Sequence, residues 1–386
     1  MRKSIRAERE IRMKKLLIVS YTSSMKDPRV FKEWSSLHND FEVTIAGWKP
    51  AIPEADFVEI RKGVPSRLDK IRFGLGMMLG DPKPFLDSFE LDAAALKDRR
   101  FDLVLCNDLF PLPLSFELAK GAPVFWDAHE YYPEEHEDSL QWRLVFKRTV
   151  MKIARKYIPR VAGMSTVSPA IAERYEKEYG KKPVLIRNVP VFTEGKHVPA
   201  GDKVRLVYVG DAHPGRRIDS LIRMMRLLED RFTLDFYLVA HPENQSRLKK
   251  MAEGDPRIRF HDPVPMSQLC GELRQYDLGL AVFFPTNYNF EKGLPNKLFE
   301  YIQGRLGIVS GPSSEIGAVI RQYGNGVSAS GFSEKELADA IRSLTKDEVE
   351  HMKQASDAAA VELCAEKEMP KLKTALLRIL NREEGK

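Results

Sequence analysis

The sequence predicts an α/β protein built from two doubly wound, Rossmann-like parallel sheets. Short continuous apolar runs alternate with helical stretches, which is the pattern of parallel strands covered by helices on both faces. The pattern stops at an irregular stretch near the middle of the chain and then starts again. A chain of 386 residues, 43% of them apolar, is also long enough for two domains of ordinary size.

In the first half, one strand is predicted at each apolar run, and a helix is predicted at DPRVFKEWSSL after the first run. The runs are residues 16–21, 42–46, 102–106, 123–127 and 184–186. We interpret residues 189–203, which contain Pro190 and Gly195, as an interdomain linker.

The second half repeats the arrangement, with a helix expected from about Asp219. Its predicted strands are residues 204–209, 234–239, 257–260, 278–283 and 306–310. Apolar residues at helical spacing between Met369 and Leu380 predict a final helix that needs an apolar surface to cover. The expected segments are a basic extension 1–15, a first domain 16–188, the linker 189–203, a second domain 204–365 and a final helix 366–386.

Charge and composition exclude several classes of protein. The net charge is +6, but residues 1–15 alone hold seven Lys/Arg against two Glu, so the rest of the chain is nearly neutral. Because a nucleic-acid binder should carry a basic face on its folded body, we expect no nucleic-acid partner. No apolar run is long enough for a membrane span, and no signal-peptide pattern is present. Three widely spaced cysteines fit a reducing cytoplasm and indicate no zinc site.

The most informative segment is NFEKGLPNKLFEYI, residues 289–302. A Gly-Leu-Pro turn, Gly293 to Pro295, leads into a helix whose first turn carries Asn296 and Lys297. Backbone N–H groups, the positive end of a helix and a lysine together are typical of a phosphate site. Glu300 lies one turn further, where its carboxylate could accept from the vicinal hydroxyls of a ribose. An ordinary capped helix with a surface Lys–Glu pair would give the same pattern.

A second candidate segment is VGDAHPGRRID, residues 209–219. A strand ends at Gly210, and the following loop brings Arg216 and Arg217 to the start of a helix. Ligands of doubly wound sheets bind at this edge, and guanidinium groups suit bidentate contact with a diphosphate. A solvent-facing arginine pair is the alternative.

Three loops of the first half end at the same edge of their sheet. Arg29 follows the first strand, Asp108 follows the strand at 102–106, and Asp127 with His129 closes the strand at 123–127. We expect His129 to face the interdomain cleft, although a lone histidine is more often a structural hydrogen-bonding residue.

Together these segments resemble glycosyltransferases of the GT-B fold, specifically the retaining, nucleotide-sugar-dependent family 4. The similar motifs are DPRVFKEW, DAHEYYPEE, STVS, RNVP, YVG…PGRRID and GLPNKLFEYI, in order over roughly residues 14–330. The resemblance implies two Rossmann-like domains facing a cleft, an acceptor-side first domain, a donor-binding second domain and a final helix that crosses back to the first domain.

The same resemblance implies roles for individual residues. Arg216 and Lys297 would hold the donor diphosphate, Glu300 would bind the ribose, and His129 would border the transferred sugar. The catalytic set would be His129, Arg216 and Lys297. The substrate-binding set would be Arg29, Asp108, Asp127, Gly210, Arg217, Asn289, Gly293, Leu294, Pro295, Asn296 and Glu300. No metal or other cofactor is expected, because cationic side chains and helix N-termini can stabilise a leaving diphosphate.

Two positions depart from the family pattern. The family commonly has a glutamate eight residues before the second one, and this chain has Lys292 there. The family often has an arginine after the glycine that ends the strand, and this chain has Asp211. The missing carboxylate leaves open how the sugar hydroxyls are held and which UDP- or GDP-linked sugar is used.

The function expected is sugar transfer from a nucleotide diphosphate donor to a glycan or lipid-linked glycan, in the synthesis of envelope polysaccharide or glycolipid. A nucleotide-sugar epimerase or hydrolase of the same fold and a catalytically silent nucleotide-sugar-binding module stay open as alternatives.

The sequence also predicts contact with a membrane surface. Residues 141–160 carry seven Lys/Arg and no acidic residue, and on one helix Trp142, Val150 and Ile153 would oppose Arg148 and Lys152. A basic amphipathic helix can lie in an anionic interface, and the protein would then be peripheral on the inner face of the cytoplasmic membrane. Residues 67–79, with Phe73, Met77 and Met78, form a second candidate. A helix packed on the sheet with a solvated basic face has the same pattern.

Overall fold

The computed structural model describes residues 13–62, 66–86, 89–91, 93–96, 98–239 and 241–384. Most of the expected basic extension, residues 1–12, lies outside the described residues. Its last members Lys14 and Lys15 begin the first strand.

The first sheet contains seven parallel strands and a short antiparallel strand at one edge, in the order β4-β3-β2-β1-β5-β6-β7-β8. At its centre, the LLIV run Leu16 to Val19 is fully buried between β2 and β5. The strands are β1 (Lys14–Ser23), β2 (Phe41–Trp48), β3 (Asp56–Lys62), β4 (Phe89–Leu91), β5 (Leu103–Asn107), β6 (Val124–Ala128), β7 (Gly163–Thr166) and β8 (Val184–Leu185).

Eight helices accompany these strands in the described part of the chain. They are α1 (Pro28–Leu37), α2 (Arg67–Leu79), α3 (Lys83–Leu86), α4 (Ala93–Leu96), α5 (Leu112–Ala119), α6 (Leu140–Val145), α7 (Lys147–Tyr157) and α8 (Pro169–Tyr179). Helix α1 starts where the sequence predicts, because Asp27 accepts from the backbone N–H groups of Arg29 and Val30 and Pro28 occupies the first turn.

The expectation of one continuous helix over residues 141–160 is wrong. The segment forms α6, α7 and a 3₁₀ turn over Ile158–Arg160, with a break at Phe146. The apolar residues Val150 and Ile153 of α7 are buried, whereas its basic residues Arg148 and Lys152 are exposed. The apolar side of α7 is therefore part of the protein core.

The second sheet has six parallel strands in the order β11-β10-β9-β12-β13-β14. Alternate residues of its central strand enter two different apolar cores, Leu206 and Tyr208 on one face and Val207 and Val209 on the other. Helices therefore cover both faces, and the predicted doubly wound class is confirmed. The strands are β9 (Val204–Asp211), β10 (Phe232–Val239), β11 (Ile258–His261), β12 (Leu278–Ala281), β13 (Gly307–Ser310) and β14 (Gly326–Ser328).

Nine further helices follow β9 in the described residues. They are α9 (Ile218–Met225), α10 (Pro242–Met251), α11 (Met266–Leu273), α12 (Tyr288–Lys292), α13 (Asn296–Gln303), α14 (Ser314–Tyr323), α15 (Glu334–Arg342), α16 (Lys346–Glu362) and α17 (Ala365–Glu384). No helix of the described residues is long and apolar enough to cross a bilayer.

The chain forms two compact units whose boundaries differ from the expected domains. The first unit runs to Ala128 and includes Leu144–Met164 and the chain from Leu372. The second unit consists of His129–Arg143 and Ser165–Lys371. Residues 129–143 and 165–188, which were expected in the first domain, thus belong to the second unit because their contacts are with it. Helix α17 passes from the second unit into the first, where Lys373 pairs with Asp40 at 2.6 Å.

The predicted linker has no helix or strand, but it is held by side chains of the second unit. The two ring nitrogens of His197 lie 2.6 Å from Asp357 Oδ2 and 2.8 Å from Glu350 Oε1. The carboxylate of Glu350 also accepts from the backbone N–H of Ala200. Residues 189–203 are therefore an irregular segment that hydrogen bonds attach to α16.

Candidate functional site

A cavity of about 420 Å³ in the second unit brings together residues from five separate parts of the sequence. Its volume is in the range of small-molecule sites. The lining residues are His129, Glu130, Val167, Ile171, Asn188, Val209, Gly210, Arg216, Phe283, Asn289, Phe290, Gly293, Leu294, Pro295, Asn296, Lys297 and Glu300. This cavity is the candidate site.

Lys297 is a partly exposed cation at the first turn of α13. Its Nζ lies 3.6 Å from the ring centroid of Tyr208 and 4.9 Å from that of Phe283, and it makes no hydrogen bond within the described residues. Burial and the nearby Arg216 guanidinium hold the pKa of Lys297 well below its usual range, and Glu300 and Asp211 oppose this shift. An anionic ligand in the cavity would stabilise the charged form of this side chain.

The end of β9 leaves room for the Lys297 ammonium group. Gly210 has a φ of +130°, and a Cβ built on it would lie 3.2 Å from Lys297 Nζ. Any larger residue would be strained and would crowd the lysine. Asp211, at the position of the family's frequent arginine, instead accepts from the backbone N–H of His213 and does not line the cavity.

Arg216 and Arg217 diverge. Arg216 ends a 3₁₀ turn, lines the cavity, and has its guanidinium carbon 4.2 Å from the ring centroid of Phe290. Arg217 has a left-handed backbone, is exposed, and lies over the ring of Phe284 at 4.4 Å. The structure therefore brings Arg216 to the cavity and leaves Arg217 off its lining.

Glu300 lines the cavity from the second turn of α13 and is 8% exposed. Lys292, which replaces the family's first glutamate, is absent from the lining. Its ammonium pairs with Glu291 at 2.9 Å, and its backbone oxygen accepts from Ser168 Oγ. The acidic side chains on the cavity are Glu300 and Glu130.

Asn289 lines the cavity but uses its side-chain amide within the protein. Tyr131 N–H donates to Asn289 Oδ1 at 2.7 Å, and Asn289 Nδ2 donates to the Tyr131 carbonyl at 3.2 Å. These two bonds, which we call the Asn289 clamp, hold the chain just after His129 and Glu130. Asn289 therefore positions the loop that brings His129 to the cavity.

The Gly-Leu-Pro turn has the predicted form. A Cβ on Gly293 would lie 2.4 Å from the Asn289 carbonyl, so the glycine permits the tight end of α12. Leu294 is buried, and Pro295 precedes the first residue of α13 without a side-chain cap. Asn296 and Lys297 thus stand at the N-terminus of α13, on the cavity.

The three predicted residues of the first unit are not part of this cavity. Arg29 and Asp127 are buried and form a bidentate pair, with Nε–Oδ2 at 2.5 Å and Nη2–Oδ1 at 2.7 Å. Asp108 adopts a left-handed backbone, and its carbonyl accepts from Trp126 Nε1. The Arg29–Asp127 pair fastens α1 to β6.

Sequence reasoning missed several cavity residues. Asn188 lies within the RNVP motif, and Glu130 directly follows His129. Phe283 and Phe290 supply apolar faces near the two cations. Position after a strand end was the available signal for Glu130 and Phe283.

The cavity combines two cations, a helix N-terminus, a buried carboxylate and aromatic rings. Such a set can hold a diphosphate and accept hydrogen bonds from hydroxyls of the same ligand. Among the described residues, no group of three or more His, Cys, Asp or Glu is placed to hold a metal ion.

Comparison with known families defines the class of protein. Residues 37–192 match the model described as Glycosyltransferase Family 4, and residues 203–347 match that of Glycosyl transferases group 1. Together the two matches cover more than half of the chain. The chain belongs to the GT-B glycosyltransferases of this group and resembles family 4. A sequence comparison with curated proteins finds no match.

Solved structures share the fold at low sequence identity. Sucrose-phosphate synthase from Thermosynechococcus elongatus has a TM-score of 0.72 and 13% identity, covering 96% of this chain and 100% of its own. Alr3699/HepE from Anabaena, solved with UDP and glucose, has a TM-score of 0.67 and 11% identity, covering 95% and 100%. The UDP-forming α,α-trehalose-phosphate synthase from Burkholderia vietnamiensis has a TM-score of 0.66 and 13% identity, covering 96% and 99%.

Proposed function

We propose that this glycosyltransferase moves a sugar from a nucleotide diphosphate sugar to an acceptor hydroxyl with retention of anomeric configuration. The observation that carries the proposal is the convergence of Arg216, Lys297 and Glu300 on one cavity of ligand size. These residues come from two separate segments of the chain, and the pairing of two cations with a carboxylate suits a phosphate next to a sugar diol.

In the proposed complex, Arg216 and Lys297 hold the diphosphate and Glu300 accepts from the ribose hydroxyls. The lowered pKa of Lys297 supports this role, because a desolvated ammonium without a hydrogen bond among the described residues is stabilised by an arriving anion. His129 borders the transferred sugar. A UDP-sugar is the first donor to test, ahead of a GDP-sugar, since the Anabaena protein was solved with UDP.

The proposed mechanism is a front-face displacement without a metal. The leaving phosphate oxygen, stabilised by Arg216, Lys297 and the start of α13, would take the proton of the acceptor hydroxyl as the new glycosidic bond forms. Cations fixed where negative charge develops can stabilise this transition state without reorganising. Family resemblance supports retention and the lack of a side-chain nucleophile.

The proposed acceptor is a glycan or lipid-linked glycan of envelope polysaccharide or glycolipid synthesis, reached at the cytoplasmic face of a membrane. The basic exposed side of α7 supports this part of the proposal. The arginine and lysine side chains there are typical of proteins that work beside anionic lipids.

The test is a thermal-shift and calorimetric screen of nucleoside diphosphates and their sugars. A charged hydrogen bond to phosphate contributes on the order of 1.5–3 kcal/mol, so Arg216→Ala and Lys297→Ala should each weaken nucleotide binding roughly tenfold or more. Arg247→Ala and Lys249→Ala, on the exposed side of α10, are the matched controls. Unchanged affinity in both cavity variants, with the fold intact, would exclude the assigned site.

Turnover separates the proposed transferase from its alternatives. A transferase consumes donor faster when an acceptor is added and forms a glycoside of unchanged anomeric configuration. Free sugar released without acceptor would identify a hydrolase, a changed donor sugar an epimerase, and binding without any turnover a silent module.

A further inference from the structure

Helix α2 turns a row of large apolar side chains toward solvent. Each member of the row is between 45% and 72% exposed. The row consists of Leu68, Ile71, Leu75, Met78 and Leu79. This spacing places all five on one stripe of the helix. The opposite side is already packed, because Met77 is fully buried and the rings of Phe73 and Phe146 lie 6.2 Å apart.

Helix α7 places a row of basic side chains beside a shallow groove of about 590 Å³ in the same unit. Five of the six residues that line the groove are basic. They are Lys147, Arg148, Met151, Lys152, Arg155 and Lys156. No acidic residue occurs between residues 141 and 160, so nothing on α7 offsets this charge.

The apolar row and the basic row are neighbours. Thr149 Oγ1 donates to the carbonyl of Met77 at 3.0 Å, and Arg148 Nη1 reaches the carbonyl of Met78 at 3.4 Å. A Cβ built on Gly80, which ends α2, would lie 3.4 Å from Arg148 Cβ. The C-terminal turn of α2 and the first turn of α7 therefore form one continuous patch, here called the α2–α7 surface.

We propose that the α2–α7 surface docks on an anionic lipid bilayer. The apolar row of α2 enters the boundary between headgroups and acyl chains, and the basic row of α7 meets the lipid phosphates. An apolar stripe flanked by Lys and Arg matches the two requirements of interfacial binding, burial of apolar area and attraction to anionic lipid. The inference rests on the proposed function for its purpose, which is access to a lipid-linked acceptor.

The arrangement differs from what residues 141–160 suggest in the sequence. The apolar side of α7 is committed to the core, so α7 supplies charge alone. The inserting side chains come from α2, and Met77, one of the residues first noted there, is buried. Thus α2 supplies the apolar side chains and α7 the basic ones that a single amphipathic helix would carry together.

The test is co-sedimentation of the full chain with vesicles of phosphatidylcholine alone and of equal parts phosphatidylcholine and phosphatidylglycerol. We expect binding to the anionic vesicles that weakens with added salt. Lys152→Gln with Lys156→Gln should weaken it about tenfold or more. Ile71→Asn with Leu75→Asn should remove the part of the binding that survives high salt.

Matched controls are two exposed positions of each kind in the second unit. Lys249→Gln with Lys250→Gln repeats the charge change on α10, and Leu227→Asn with Val239→Asn repeats the polarity change at exposed apolar residues. Both controls should bind vesicles as the unaltered chain does. Melting temperature and nucleotide affinity, measured on every variant, separate loss of docking from loss of fold or of donor binding.

Three outcomes would overturn the inference. The first is no binding of the unaltered chain to anionic vesicles. The second is binding that survives both α2 and α7 variants and disappears when the Lys and Arg residues within 1–12 are changed to Gln. The third is a stable dimer in lipid-free solution that the α2 variant dissociates, because the apolar row would then be covered by a second copy. Each readout is independent of sugar transfer, so failure of the proposed function would leave a positive result standing.

Discussion

At the scale of single residues, the proposed site depends on Lys297, whose environment disfavours its positive charge. Lys297 is surrounded by rings and by a second cation, and its ammonium makes no hydrogen bond among the described residues. A folded protein tolerates such a group at a cost in stability, and a bound anion would offset that cost. This environment supports the proposed binding of a diphosphate at Lys297.

The lowered pKa of Lys297 gives a pH dependence with a definite sign. If the diphosphate of a nucleotide sugar binds the protonated lysine, as proposed, its affinity should fall as pH rises through the lowered pKa. Between the lowered pKa and the ordinary lysine pKa, the unfolded chain keeps this lysine protonated and the ligand-free folded protein does not. The free energy of unfolding of the ligand-free protein should therefore rise with pH over that window.

The comparison that isolates this effect is Lys297→Arg, since a guanidinium stays charged throughout. Calorimetric titration at a series of pH values below the ordinary lysine pKa should show a steeper loss of affinity with rising pH in the unaltered protein than in the variant. Parallel curves for the two proteins would contradict the assignment.

Gly210 offers a second test at this scale. Gly210→Ala puts a methyl group 3.2 Å from Lys297 Nζ and strains a φ of +130°. Gly254→Ala is the matched control, because Gly254 has a φ of +87° with open space around it. Both should cost roughly 1 kcal/mol or more of stability. Nucleotide affinity should fall in Gly210→Ala alone, and an equal fall in both would show that crowding of the lysine is irrelevant.

At the scale of elements, hydrogen bonds join α12 to the loop after β6. The Asn289 clamp joins residues 158 positions apart in the sequence and fixes the chain next to His129. The side chain of Asn289, which lines the cavity, thereby sets the position of the loop that follows β6.

Asn289→Ala should leave the N–H and carbonyl of Tyr131 without these partners and destabilise the protein by roughly 1–3 kcal/mol. If His129 borders the reacting sugar, kcat should fall by a larger factor than nucleotide affinity. The control is Asn325→Ala, since Asn325 is buried in the same unit and bonds Ser356 instead. That variant should lose stability and keep its kcat, and an equal fall in kcat in both variants would remove the positioning role.

At the scale of the whole molecule, the sequence predicted the doubly wound class because strands such as residues 16–19 are continuous apolar runs. It missed β3, β4, β7 and β14, since β3 mixes polar and apolar residues and the other three have only three or four residues each. The cavity residues of α13 were predictable from a local motif. The placement of residues 129–143 was not, because it depends on contacts with Asn289 far along the chain.

The same limit applies to α2 and α7. Periodicity shows that a helix has an apolar face, and it does not show whether that face is covered. For α7 the face is covered by the core, and for α2 it is exposed.

Helix α17 provides a test of long-range packing. Leu376 is fully buried and Leu377 is 39% exposed on the same turn. Leu376→Ala should destabilise the protein by about 2–5 kcal/mol and Leu377→Ala by about 0.5 kcal/mol or less. Thermal or urea unfolding of the two variants measures the difference, and similar values would mean that the helix end contributes little to the core.

The Asn289 clamp also decides how this enzyme can be recombined with its relatives. A chimaera whose junction lies within the irregular segment 189–203 would take His129 from one parent protein and Asn289 from the other. The loop and the asparagine that holds it would then come from different proteins. A hybrid that inherits residues 129–143 and 165–371 from a single parent keeps the clamp and the entire cavity lining together. The residues that line the cavity must therefore be inherited together from separate stretches of the gene, although they lie together in space.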